Sequence, residues 1–203
     1  MELSLSPFGE GPKLPQLKLS FDQGRVQLGA GAEVLTASPF FTNPPVVTWG
    51  HLSPSAVPHL ANPLMILSLF FVDFGFTDDT ERLHKSWWGF RFVHSVWTNC
   101  LYGTSEGCHA VVKWRRPANA NRTPNRYTFL LFAHPFPLRL LGESWDKPGG
   151  LAQVQRPGWQ VSLPAFQFNF TVEQLLADNP GMTPIGMTYI NVLQNGGQTC
   201  RDA

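Results

Sequence analysis

Pro124-Asn125-Arg126-Tyr127-Thr128-Phe129-Leu130-Leu131-Phe132 is the stretch that decides how this chain folds. From Phe129 to Phe132 every residue is apolar, and neither glycine nor proline interrupts the run. A short unbroken run of this kind reads as a strand buried on both faces. Just before it stand a guanidinium and a phenol, so the strand starts at a polar threshold. A guanidinium beside a buried strand needs a partner, and its planar fork suits a carboxylate or a phosphate. In a regular strand Arg126 and Tyr127 face opposite sides, so both reach one pocket only if the chain bends there.

Upstream of that strand, Arg115, Arg116 and Arg122 sit in a Pro/Asn-rich loop that can close over an anion. Solvated basic loop is the alternative reading. Further back, Met65 to Val72 is a second continuous apolar run, a central strand expected to end at Asp73. Phe92 to Thr98 is a third strand and carries His94. Asp73 is either a turn carboxylate bonded to nearby backbone N–H groups or a pocket carboxylate that accepts a proton. His94 is either a satisfied core histidine or a general base, since its pKa moves readily across neutrality. Together with Arg126 and Tyr127 these residues outline a small anionic-ligand pocket at strand ends. Trp87, Trp88 and Trp97 fit either a pocket wall or core packing.

Shorter strands are expected at Leu17 to Phe21, Arg25 to Leu28, Val46 to Trp49, Ala110 to Trp114 and Met187 to Leu193. One helix is expected at Thr171 to Asp178, stopped by Asn179-Pro180-Gly181. No internal repeat or linker divides the 203 residues, so residues 1–203 form a single, mainly β domain. The formal net charge of +1 argues against nucleic-acid binding. No apolar window reaches the length of a membrane span. The opening residues, with three prolines before Lys18, do not read as a signal peptide. Asn121-Arg122-Thr123 and Asn169-Phe170-Thr171 are glycosylation sequons, and Cys100 and Cys108 are spaced to allow a disulfide across a hairpin. These features fit a secretory route without fixing the compartment, and Cys200 is left over. The histidines and three cysteines show no metal-ligand spacing, so neither a metal nor another cofactor is expected.

The order of elements resembles the phosphatidylethanolamine-binding protein family. Val72-Asp73-Phe74-Gly75 stands where that family has D-P-D after a buried strand, and Phe92-Val93-His94-Ser95-Val96 stands at its His strand. The run from Pro124 to Phe132 is similar to its H-R-Y strand. Pro44 to Trp49 resembles its P-x-I-x-W, and Thr183 to Tyr189 its P-V-A-G-x-x-F ending. The resemblance spans nearly the whole chain. It implies a large central antiparallel sheet, a smaller second sheet, a few peripheral helices, and an anion pocket near Asp73, His94, Arg126 and Tyr127.

The chain departs from that pattern in informative places. Phe74 and Gly75 replace the Pro and second Asp of D-P-D, and Asn125 replaces the His of H-R-Y. Lys113-Trp114-Arg115-Arg116-Pro117-Ala118-Asn119 replaces a glycine-proline loop whose bare N–H groups would cradle phosphate. In these departures it looks like the aromatic-rich members in fungal maleidride pathways, which are implicated as dimerising cyclases. That implies a cofactor-free enzyme joining maleic-anhydride or dicarboxylate monomers by carbon–carbon bond formation. His94, Asp73, Arg126 and Tyr127 would be catalytic; Arg115, Arg116, Asn125, Trp87 and Trp88 would hold substrate. A homodimer is compatible with this reading. The alternative is a non-catalytic binder of phospholipid headgroups or other small anions, or a protein that regulates a kinase or protease.

Overall fold

The computed structural model describes residues 2–4, 13–55, 57–76, 92–100, 103–117, 119, 124–139, 151–156, 159–164, 170 and 172–194. In chain order the strands are β1 Glu2–Ser4, β2 Lys13–Pro15, β3 Lys18–Phe21, β4 Val26–Leu28, β5 Ala32–Leu35, β6 Val46–Thr48 and β7 Ile66–Phe76. They continue with β8 Phe92–Thr98, β9 His109–Val112, β10 Asn125–His134, β11 Leu151–Arg156, β12 Trp159–Pro164 and β13 Thr183–Leu193. One α-helix, α1 Val172–Asp178, precedes β13.

A six-stranded sheet runs β5-β13-β10-β7-β8-β9, and a three-stranded sheet runs β4-β3-β6. β1 pairs with β2 and β11 with β12 as separate ribbons. The large sheet is antiparallel except at one edge, where β5 lies parallel to β13.

The continuous apolar runs are explained by two-sided burial. Along β10, Tyr127, Phe129, Leu131 and Ala133 pack with Phe21, Phe41, Val47 and Trp49 on the side of the small sheet. Leu130 and Phe132 pack the other way, with Phe70, Val72, Val93, Phe170 and Leu175 of α1. Each such side chain contributes about 1.5–3 kcal/mol by leaving water, so neither face tolerates a polar alternation. Gly186 in β13 meets a further demand of packing: a Cβ there would lie 2.5 Å from Leu17 Cδ2.

Three expectations on boundaries change. β13 begins at Thr183, not at Met187. β7 does not end at Asp73 but runs on to Phe76, with Asn125 opposite Phe76 and Tyr127 opposite Asp73. One residue of β10, Arg126, therefore spans two of β7, Phe74 and Gly75; the ladder absorbs the mismatch and resumes. The expected strand Ala110 to Trp114 is instead His109–Val112, because beyond it the Ser95 hydroxyl takes over the backbone groups of Lys113 and Arg115. Cys100 and Cys108 form the disulfide that their spacing allowed. No helix among the described residues is long and apolar enough to cross a membrane.

Candidate functional site

The site forms where β7, β8 and β10 run side by side at one end of the large sheet. Asp73 is opposite Tyr127 on one side and opposite Phe92 on the other, so all three share a face. His94 joins them through a bulge. Ser95 is paired with Phe71 and Val93 with Val72, which leaves His94 as an extra residue. Its ring lies 5.0 Å from Tyr127, 4.7 Å from Phe92 and 5.5 Å from Phe71, edge-on to all three. Asn125 completes the group by donating its Nδ2–H to Asp73 Oδ2 at 3.2 Å. Asp73, His94 and Asn125 are all buried, and Tyr127 is wholly so.

Asp73 is therefore not a turn residue. It lies inside a strand, with its carboxylate bonded across the ladder to Asn125.

His94 Nδ1 lies 3.2 Å from the backbone carbonyl of Arg115. A carbonyl only accepts, so Nδ1 carries the hydrogen and Nε2 keeps a lone pair. Burial pushes the pKa of this imidazole down to about 3; the Arg115 carbonyl opposes that shift, the Arg115 charge adds to it, and the Arg116 carbonyl opposes it again. The ring is thus neutral, with Nε2 as its basic nitrogen.

The loop after β9 is fixed by several bonds. The Arg115 N–H donates to Ser95 Oγ at 3.2 Å, and Trp114 Nε1–H donates to the Phe41 carbonyl at 3.0 Å. Asn119 Nδ2–H reaches the Val192 carbonyl in β13 at 2.7 Å. The Arg115 guanidinium stands 5.7 Å from the centre of the Phe92 ring, beside His94. Arg115 and Arg116 are both exposed.

Arg126 is not gathered with these residues. Its guanidinium lies 4.4 Å over the ring of Tyr189, which packs with the cluster on the opposite face of the sheet. The sequence requirement for a bent strand is met only in part: the mismatch falls in β7, and Arg126 and Tyr127 still diverge. Trp87, Trp88 and the sequon residues Asn121, Arg122, Thr123, Asn169 and Thr171 lie outside the described residues, as does Cys200.

Sequence reasoning missed Phe92, which both His94 and Arg115 contact. It also missed a second polar cluster at the far end of the same strands. There Ser68 Oγ lies 2.8 Å from Thr98 Oγ1 and 2.8 Å from His134 Nε2, all three residues being buried. His134 Nδ1–H donates to the Phe136 carbonyl. The available signal was a polar residue at the corresponding end of each of three strands with apolar stretches.

No sequence profile of a known protein family matches the chain, and no curated protein sequence does. Solved structures do resemble it. The phosphatidylethanolamine-binding protein of Plasmodium falciparum superposes with a TM-score of 0.60 at 14% identity, covering 93% of this chain and 91% of that one. A carboxypeptidase Y inhibitor, solved with its cognate proteinase, gives a TM-score of 0.58 at 13% identity over 90% and 85% of the two chains. The phosphatidylethanolamine-binding protein of Plasmodium vivax gives 0.55 at 14% identity over 89% and 87%. At such identities the likeness is one of fold, and the chain has the mainly β fold of these proteins.

Proposed function

We propose that the chain binds a small dicarboxylate or cyclic anhydride at the Asp73–His94–Asn125–Tyr127 site and acts on it as a cofactor-free, carbon–carbon bond-forming cyclase of the maleidride type. The observation that carries this reading is the neutral imidazole of His94, packed among Phe71, Phe92 and Tyr127 with its Nδ1–H spent on the Arg115 carbonyl and Nε2 as its basic nitrogen. A base whose pKa stays near 3 is a weak acceptor at neutral pH. An anion arriving beside it reverses the balance, because a neighbouring negative charge favours the imidazolium. Substrate binding would thereby tune the base that removes its acidic proton. The C–H electron pair would pass into an enolate, whose oxygens the Tyr127 hydroxyl and the Arg115 guanidinium would stabilise. The enolate carbon would attack the C=C bond of a second monomer held alongside; the broken π pair would become a new enolate, which takes back the proton held on His94. Aromatic walls from Phe71, Phe92 and Trp114 would exclude water.

A non-catalytic anion binder is the second reading, favoured by the nature of the proteins sharing the fold: two bind phosphatidylethanolamine and one inhibits a proteinase. Purified protein incubated with a maleic-anhydride-type monomer separates the two. A dimeric product seen by mass spectrometry, lost in His94→Ala while the variant still melts cooperatively, supports the cyclase. Ligand-dependent melting without product leaves only the binder.

A further inference from the structure

Three positions beyond His94 on β8, about 10 Å at strand spacing, the side of the sheet facing β6 holds a concavity. This cleft, of about 240 Å³, is lined by Pro44, Pro45, Trp97, Ser105, Glu106 and Gly107, among others. One wall is the Pro44-Pro45 turn that leads into β6. The other is the segment 103–107, which is tied to the strand at several points. Ser105 N–H donates to the Val47 carbonyl at 2.8 Å, Val47 N–H to Ser105 Oγ at 2.9 Å, and Trp49 N–H to the Gly103 carbonyl at 2.9 Å. The Cys100–Cys108 disulfide closes the same loop behind Gly107. The walls are therefore held in place, as a preformed site needs.

The chemistry of the lining is specific. Trp97 is almost completely buried, so only a small part of it meets the cleft, and it stacks on Trp114 at 6.2 Å. Glu106 at the exposed rim is the one charged side chain among the described lining residues. Prolines and an indole favour a compact apolar body, and an indole attracts a cation more strongly than other rings do. A carboxylate beside it repels an anion and is left uncompensated by a neutral guest. The cleft thus selects against the ligand class suited to the His94 site.

We propose that this cleft is a second binding site, which takes a small organic cation, an alkylammonium or quaternary ammonium group, with Trp97 against its apolar body and Glu106 balancing its charge. The site is independent of any chemistry at His94.

The test uses ¹⁵N-labelled protein titrated with tetramethylammonium and, in parallel, with tert-butanol, a neutral molecule of similar size. The Trp97 indole N–H signal is assigned by its absence in Trp97→Phe. That signal shifts saturably with tetramethylammonium, and Glu106→Gln weakens the affinity about threefold to fivefold while leaving the spectrum otherwise folded. tert-Butanol binds more weakly than tetramethylammonium by a similar factor. Equal affinity for the two probes, or no change in Glu106→Gln, overturns the assignment of a cation. A Trp97 signal that neither probe moves overturns the site itself.

Discussion

The His94 imidazole donates its Nδ1–H to the backbone carbonyl of Arg115 across 3.2 Å, joining β8 to the loop that follows β9. This one bond fixes the tautomer of the ring, and it places the Arg115 side chain beside it. The basic loop is thus bonded to the residue whose chemistry it would modify.

Acid stability follows from that burial. The His94 pKa falls from 6.5 to about 3 on folding, and burial also lowers that of His134. Both groups are depressed, so the unfolded chain binds the extra protons. Their contribution is complete above pH 6.5 and is lost as pH falls toward the folded-state values. Between pH 7.5 and 4.5 His94 alone accounts for a loss of about 2–3 kcal/mol. Urea unfolding of wild type and His94→Gln at the two pH values measures it. Equal losses in the two proteins would contradict the assignment.

Anion binding is expected to take up a proton at His94. Ethane-1,2-disulfonate, which keeps its charge over this range, serves as a probe in place of a dicarboxylate. Its affinity rises as pH falls, by up to about tenfold per unit between the bound-state and free-state pKa values of the ring. Calorimetry in two buffers of different ionisation enthalpy reads the proton directly. A pH-independent affinity removes His94 from the site.

Arg115 and Arg126 part company in their effects. Arg115→Ala removes an exposed guanidinium beside Phe92 and His94, so it changes stability by less than about 0.5 kcal/mol but weakens disulfonate binding about tenfold. Arg126→Ala removes the cation stacked on Tyr189 on the opposite face; stability drops by about 1–2 kcal/mol and disulfonate affinity is retained. Thermal melting with and without the probe distinguishes these outcomes, and the reverse pattern would return Arg126 to the site.

The disulfide is expected to matter for the scaffold more than for the chemistry. Closing the loop from Cys100 to Cys108 restricts the unfolded chain, and its loss in the Cys100→Ser, Cys108→Ser double variant costs about 2–3 kcal/mol. Denaturation midpoints of the variant and the oxidised protein, compared at equal m-value, measure the difference. A midpoint that does not move shows that the hydrogen bonds of segment 103–105 to β6 hold the loop unaided.

Much of the fold was legible in the chain itself. Continuous apolar runs at β7, β8 and β10 come from two-sided burial, and burial of that kind leaves a local trace in the residues. Phe92 to Thr98 matches its strand end to end, and the helix over Val172–Asp178 was announced by its formers and its Asn-Pro-Gly stop. The edge strand Ala32–Leu35 left no such trace, since its partner β13 is remote in sequence and its pairing is parallel.

The sequence by itself determined a mainly β fold and the residue types of the proposed site: Asp73, His94, Asn125, Tyr127 and a basic loop. Only the tertiary structure decided which of these meet. A bulge brings His94 onto the face of Asp73 and Tyr127, while Arg126, adjacent to Tyr127 in the chain, is sent across the sheet to Tyr189. The reason is that a strand alternates sides at every residue, so a single extra residue in one ladder inverts which neighbours share a face. Such a residue is inserted by pairing with another strand, and no property of the local sequence announces it.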